Sequence, residues 1–150
     1  MKDKKLNVSL ESIVAHLPGH VYWLDRNNLY LGSNELQAKS AGLKSRHEIV
    51  GKSNYELPWR DQADALNAIN NKVMSTGQEY SVEEIGRMID GKEGVYLSKK
   101  VPLLDDESNI VGILGISFDV TEQKEQNNKL AEAKERADIA LENIITHLPG

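Results

Sequence analysis

The sequence predicts an α+β domain: a five-stranded antiparallel sheet with its helices collected on one face, flanked by amphipathic helices at both ends. Three observations lead there. Strand-like and helix-like stretches follow the order helix, two strands, short helices, a longer helix, three strands and a helix. Turn-forming residues separate successive strand-like stretches. After Val120 the composition changes abruptly to a charged segment rich in helix formers, with no proline or glycine between Glu122 and Glu142.

Taken in order, Leu6, Leu10, Ile13 and Leu17 recur at helical intervals and predict a helix from Leu6 to Leu17, ended by Pro18-Gly19. His20 to Asp25 (HVYWLD) is rich in strand formers. Arg26-Asn27-Asn28 supplies a turn, and Leu29 to Asn34 (LYLGSN) forms the second arm of a hairpin. Glu35 to Leu43 reads as a short helix closed near Gly42, and His47 to Leu57 as brief helical turns stopped by Pro58. Trp59 to Ser75 is the longest internal helix, with Ala65, Ile69 and Val73 along one stripe, Leu66 beside it and Gly77 as its C-terminal breaker. Tyr80 to Gly86, Gly94 to Leu104 and Ile110 to Phe118 complete the strands, joined by an Asp90-Gly91 turn and an Asp105 to Asn109 loop.

The final helix carries a seam at alternating intervals of three and four: Val120, Gln123, Asn127, Leu130, Lys134, Ala137, Leu141, Ile144 and Leu148. It is polar before Leu130 and apolar after. Glu125/Lys129 and Glu132/Arg136 stand in the favourable order for helical ion pairs. The seam calls for a partner helix, and packing back on the domain is the rival reading.

ESIVAHLPG at Glu11 to Gly19 returns as ENIITHLPG at Glu142 to Gly150, 131 positions later, with six of nine residues identical. That period suits a globular module rather than a solenoid. The expectation is one complete module followed by the beginning of a second. The chain accordingly divides into an N-terminal amphipathic helix (1–18), a globular body (19–121), and a coiled-coil-like linker helix with the start of a second module (122–150).

Bulk properties narrow the function. With 150 residues, 39% hydrophobic and 27% charged, the chain can bury one sizeable core. A net charge of -5 and the lack of a basic patch argue against a nucleic-acid partner. No apolar run approaches the length of a membrane span, and no secretory signal is visible, so a cytoplasmic domain is expected. The absence of cysteine removes disulfides, thiolate metal sites and cysteine nucleophiles. The four histidines lie in different elements without metal-site spacing, so no metal is expected. Acidic neighbours such as Glu83-Glu84 and Asp105-Asp106 lack a convergent second group, and no catalytic residue is assigned.

The element order, with a long helix leaving the last strand through FDVTEQKEQ (Phe118 to Gln126), resembles a PAS domain. LYLGSN resembles that family's second strand, ending in Asn34. HEIVGKSNYELPW (His47 to Trp59) resembles the segment before its long internal helix, and GILGISFDVTE (Gly112 to Glu122) its last strand and exit. The resemblance covers roughly residues 8 to 125, and HLPGHVYWLDRNNLYLGSN is most similar to sensory modules of bacterial histidine kinases. It implies a non-catalytic, signal-transmitting module of a sensor kinase. Its expected partners are a second copy of the chain through the terminal helices, and downstream PAS and kinase units. A ligand-free dimerisation spacer, and a module of a cyclic-dinucleotide enzyme or transcriptional regulator, are the alternatives.

The resemblance also places candidate residues. Asp119 and Thr121 form its conformational joint, with Asp119 bonding back to the domain. Physically, Thr121 is placed to cap the outgoing helix, and a cap without a signalling role is the plainer reading. A small-molecule pocket is implied between the sheet and internal helices, with Tyr22, Tyr55, Trp59, Tyr80, Tyr96, Ser98 and Ser117 as candidate lining; for each, a core residue with its polar atom satisfied is the plainer reading. Alternation in GVYLSKKVPL separates Tyr96, Ser98 and Lys100 from Val95, Leu97, Lys99 and Val101, and both sets stay open as the pocket face. Without cysteine, covalent flavin and thioester chromophores are excluded. Haem is not expected, because the internal helix has no histidine.

Overall fold

The computed structural model describes residues 9–87 and 93–149. The first residues of the predicted N-terminal helix, the Asp90-Gly91 turn and Gly150 lie outside them. The described chain contains α1 (Leu10–Ala15), β1 (His20–Asp25), β2 (Tyr30–Ser33), α2 (Glu35–Ser40), α3 (Ala63–Thr76), β3 (Tyr80–Arg87), β4 (Glu93–Leu104), β5 (Ile110–Asp119) and α4 (Thr121–Thr146). Single 3-10 turns at Arg46–Ile49, Asn54–Glu56 and Arg60–Gln62 link α2 to α3. The strands form one antiparallel sheet in the order β2-β1-β5-β4-β3, the α+β architecture expected. The chain divides into two compact units. One comprises residues 9–84 with Leu97–Phe118, the other Ile85–Tyr96 with residues 119–149.

In the first unit, the hairpins after β1 and β4 are built alike. Asp25 Oδ1 accepts the Asn27 and Leu29 N–H groups, and Asp105 Oδ1 accepts those of Glu107 and Asn109. In each, the fourth residue turns left-handed: Asn28 at φ 61° and Ser108 at φ 65°. An aspartate that holds amides two and four residues ahead mimics a backbone turn, so both loops tighten without glycine. The Asp105 carboxyl is held below its usual range, chiefly by the Asn109 N–H.

Two glycines let the aromatic residues of β1 lie flat. Tyr22 faces Gly115 on β5 and Trp23 faces Gly32 on β2. A Cβ at Gly115 would enter the Tyr22 ring, and one at Gly32 would enter the Trp23 ring. Between Trp23 and Leu24 the β1–β2 register slips by one residue, pairing Leu24 with Tyr30. This bulge leaves Leu31 exposed and buries Tyr30. The free edge of β2 is covered by loop backbone, with Tyr30 N–H donating to Lys52 O and Gly51 N–H to Tyr30 O.

Asn34 ties four segments together. Its Oδ1 accepts the Gln37 N–H as the cap of α2 and the Val21 N–H of β1, while Nδ2 donates to the Gly19 carbonyl at 2.7 Å. The core beneath is Leu24, Tyr30, Ala41, Ile49, Leu57, Val73 and Ile113. Each fully buried aliphatic side chain there contributes about 1.5–3 kcal/mol.

Several local expectations shift. Residue 17 is not helical, because a residue before proline is pushed out of the α region, so α1 stops at Ala15. The long internal helix begins at Ala63 after a 3-10 turn and ends on left-handed Gly77, φ 69°. Its buried positions are Ala63, Asn70, Val73 and Met74, whereas Ala65 is exposed. The apolar stripe is thus rotated from the predicted one, because a satisfied asparagine occupies an inward position.

In the second unit α4 runs 26 residues, about 39 Å at the helical rise. Leu130, Leu141, Ile144 and Leu148 of its seam are all exposed. The ion pairs among the described residues are Arg46–Glu35 and Lys99–Glu79, so the predicted pairs along α4 stay open. Exposed pairs on long side chains gain too little to offset their ordering. No helix of the described residues is long and apolar enough to cross a membrane.

Candidate functional site

In the first unit a cavity of about 150 Å³ lies between the sheet and the inner helices, lined by Tyr22, Tyr30, Gln37, Asn54, Trp59, Leu66, Asn70 and Lys100. β1 and the bulged β2 set the two tyrosines side by side, ring centroids 5.9 Å apart and tilted by 52°. The 3-10 turn at Asn54–Glu56 is held by a capping box between Ser53 and Glu56, which aims Asn54 inward. Asn54 Oδ1 then accepts both the Tyr30 hydroxyl at 2.8 Å and the Trp59 indole N–H at 2.9 Å. Its Nδ2 donates to Asn67 Oδ1 of α3. Both aromatic donors of this wall are therefore oriented by one amide.

The opposite wall is polar. Lys100, only 5% exposed, projects from the middle of β4. Its Nζ donates to Asn70 Oδ1 at 2.9 Å and lies 5.5 Å from the Tyr22 ring centroid. Asn70 Nδ2 donates to Asn28 Oδ1, and Asn28 Nδ2 to Asn71 Oδ1, so an amide chain ties Lys100 through α3 to the β1–β2 turn. Burial, and secondarily neighbouring Tyr22, pushes the Tyr30 phenol well above its ordinary range. It stays a protonated donor. Burial lowers His20, partly offset by its bond to Gln37, so the imidazole beside the cavity wall is neutral at physiological pH.

Of the candidate pocket residues, Tyr22 and Trp59 line this cavity. Tyr80 packs against the core beside it. Tyr55 is half exposed and its hydroxyl bonds Asp64 at the surface. Ser98 and Ser117 face each other across β4 and β5, their hydroxyls 3.3 Å apart. Tyr96 belongs to the second unit. Of the two alternating sets on β4, Lys100 is the member that lines the cavity. Sequence reasoning missed Tyr30, Gln37, Asn54, Leu66, Asn70 and Lys100. Lys100 left a signal, a lysine in mid-strand among strand formers. Asn54 and Asn70 left none, since an asparagine in a turn or helix ordinarily reads as solvent-facing.

In the second unit, the joint into α4 differs from the expected cap. Thr121 does not cap α4 with its hydroxyl. The Oγ1 accepts the Val95 N–H of β4 at 2.9 Å and donates to Asp119 Oδ1 at 2.6 Å. Asp119 Oδ1 also accepts the Thr121 N–H, an amide of the helix's first turn, and Val120 N–H donates to the Val95 carbonyl. The bond to β4 is thus made by the threonine, and the aspartate orients it. The Thr121 hydroxyl, and then its N–H, holds the Asp119 carboxyl below the usual range.

The repeated histidines behave alike within their own helices. His16 Nδ1 donates to the Ser12 carbonyl and His147 Nδ1 to the Asn143 carbonyl, both at 2.7 Å. Each ring folds back onto a carbonyl of the last helical turn, and the Asn143 carbonyl also accepts the His147 N–H and the Thr146 hydroxyl.

This arrangement has counterparts. Residues 14–125 match the family model described as the PAS fold. Among solved structures the chain is similar to the Vibrio cholerae VqmA dimer, described with LuxR-type receptors. Identity is 25%, over 78% of this chain and 53% of that one, with a TM-score of 0.68. It is similar to the Vibrio cholerae VqmA–ligand–DNA complex at 25% identity, over 77% of this chain and 53% of that one, TM-score 0.67. The PAS domain of Bordetella pertussis BvgS shares the fold at 19% identity, over 85% and 95% of the two chains, TM-score 0.63. No curated protein sequence matches. The chain spans about half the length of the VqmA chains it matches, at 53%.

These likenesses correct one expectation. Nucleic acid was excluded as a partner on net charge, yet VqmA of similar fold is solved with its DNA. The charge of a segment that spans about half of such a protein, 53%, carries no information about what the other half contacts. The sheet order, the aromatic and polar cavity and the match over residues 14–125 converge: the chain belongs to the PAS fold family, as a sensory domain.

Proposed function

We propose that this chain is the ligand-sensing module of a LuxR-type transcriptional regulator, its cavity receiving a small molecule and its α4 joint passing the response on. The observation that carries the reading is the cavity itself, whose walls present oriented polar groups: Lys100 with Asn70 on one side, and the Tyr30 hydroxyl and Trp59 N–H, both held by Asn54, on the other. A collapsed spacer would fill that volume with aliphatic side chains, because close packing is the default of an interior. The likeness to VqmA solved with ligand and DNA supports the output side of the proposal. β4 carries both Lys100 and Val95, whose two backbone groups are held by Val120 and Thr121. Occupancy that shifts β4 therefore biases the joint, a population shift rather than chemistry. Asp119 and Thr121 act as coupling residues in this reading.

Native mass spectrometry of the purified chain should reveal a retained small molecule. In the whole protein, DNA binding measured by mobility shift should change with that molecule. An apo protein whose melting temperature does not respond to a small-molecule extract of its host cell would sink the sensing reading.

A second reading is favoured by the recurrence of HLPG and by the exposed seam of α4. It makes the chain one PAS unit in a tandem sensor histidine kinase, with residues 122–150 as linker helix and start of the next unit. Autophosphorylation of the whole protein by ATP, without DNA binding, would select it.

A further inference from the structure

We propose that the cavity is built for a small monoanion about one aromatic ring in size, with its negative group at Lys100. The inference rests on reading the cavity as the sensory site. A lysine amino group has three donors and no acceptor. Among the described residues Lys100 Nζ meets one oxygen acceptor, Asn70 Oδ1, and one ring face, Tyr22. No carboxylate of those residues lies within ion-pair distance of it. A cation buried to this degree is costly unless an anion accompanies it. Every other polar wall residue is neutral: the Tyr30 phenol is held protonated, and Gln37, Asn54 and Asn70 are amides.

Volume and shape narrow the ligand further. About 150 Å³ holds a benzene-sized ring. Tyr22, Tyr30, Trp59 and Leu66 supply apolar area for the ring, while Lys100 with Asn70 forms the polar end. Asn70 cannot turn away from Lys100 freely, because its Nδ2 is committed to Asn28, itself buried. The amide chain therefore positions the lysine, leaving its remaining donors for the ligand.

Benzoate and benzamide, alike in shape and differing in charge, test this on the chain by calorimetric titration. Benzoate should bind about tenfold or more tightly than benzamide. Lys100→Met should abolish that preference while leaving benzamide within about twofold. Asn70→Asp, which hands Lys100 an internal carboxylate, should weaken benzoate to a similar degree, and it guards against a misfolded Lys100→Met protein. Benzamide binding as tightly as benzoate would overturn the anion inference and leave the sensory reading standing. Benzoate binding unchanged by Asn70→Asp would also overturn it. Binding of neither probe, with unshifted tryptophan fluorescence, would overturn the inference, and the sensory reading falls with it only where the host-cell extract also leaves the melting temperature unmoved.

Discussion

Thr121 and Val95 are joined side chain to backbone: the threonine hydroxyl accepts the Val95 N–H at 2.9 Å, while Val120 N–H returns to the Val95 carbonyl at 2.8 Å. One residue of β4 is thus held on both of its backbone groups by Val120, which caps α4, and Thr121, its first residue. Thr121→Val keeps the shape and removes the acceptor, leaving a partly buried amide without its partner. We expect a loss of about 1–2 kcal/mol and faster hydrogen exchange at the Val95 amide. Thr121→Ser should retain both. An unchanged Val95 exchange rate in the valine variant would refute the joint.

Asp119 gives that joint a pH dependence. Its carboxyl titrates below the ordinary aspartate range because the Thr121 hydroxyl, and then the Thr121 N–H, stabilise the ionised form. A depressed folded-state value contributes stability above the unfolded aspartate value, and the contribution disappears as pH falls through the lowered folded value. NMR titration of the Asp119 carboxyl should show a midpoint below that of an unstructured aspartate. Thr121→Val should move it upward. A normal midpoint in the parent chain contradicts the prediction.

Asn34 holds α2, β1 and the turn at Gly19 at once. Asn34→Ala removes the helix cap and strands buried amides, and should cost about 2–3 kcal/mol in chemical denaturation. Asn34→Asp keeps the acceptor for Val21 and Gln37 but loses the donor to Gly19, so its loss should be smaller near neutral pH. Equal losses would show that the acceptor side contributes little.

Gly115 makes room for Tyr22 against the sheet. Gly115→Ala forces that ring toward the cavity and should cost about 1–3 kcal/mol through overpacking. Any ligand of the cavity should bind more weakly in this variant, and Gly32→Ala, which displaces Trp23 instead, should cost stability without that loss of binding. Undiminished ligand affinity in Gly115→Ala would separate Tyr22 from the site.

Much of the fold was legible before any coordinates. The Asp25 and Asp105 turns, the stop at Pro18-Gly19, Gly77 closing α3 and the charged run after Val120 act through local sterics and hydrogen bonds that each short stretch carries within itself. Tyr22 and Trp59 stood out as cavity candidates because a large aromatic with a polar tip is conspicuous in any strand or turn.

The rest was decided by partners distant in sequence. Tyr30 reaches the cavity only because a bulge opposite Trp23 and Leu24 breaks the alternation of β2. Asn70 points inward because Lys100, thirty residues later, and Asn28, forty-two earlier, satisfy it. Thr121 turned from helix cap to strand clasp because Val95 offered its amide. Residue patterns determined where this chain would make helix, strand and turn, since those preferences are local. Which polar groups could be buried was a tertiary matter: a buried donor or acceptor is tolerable only when the fold brings its partner, and sequence spacing does not show that meeting.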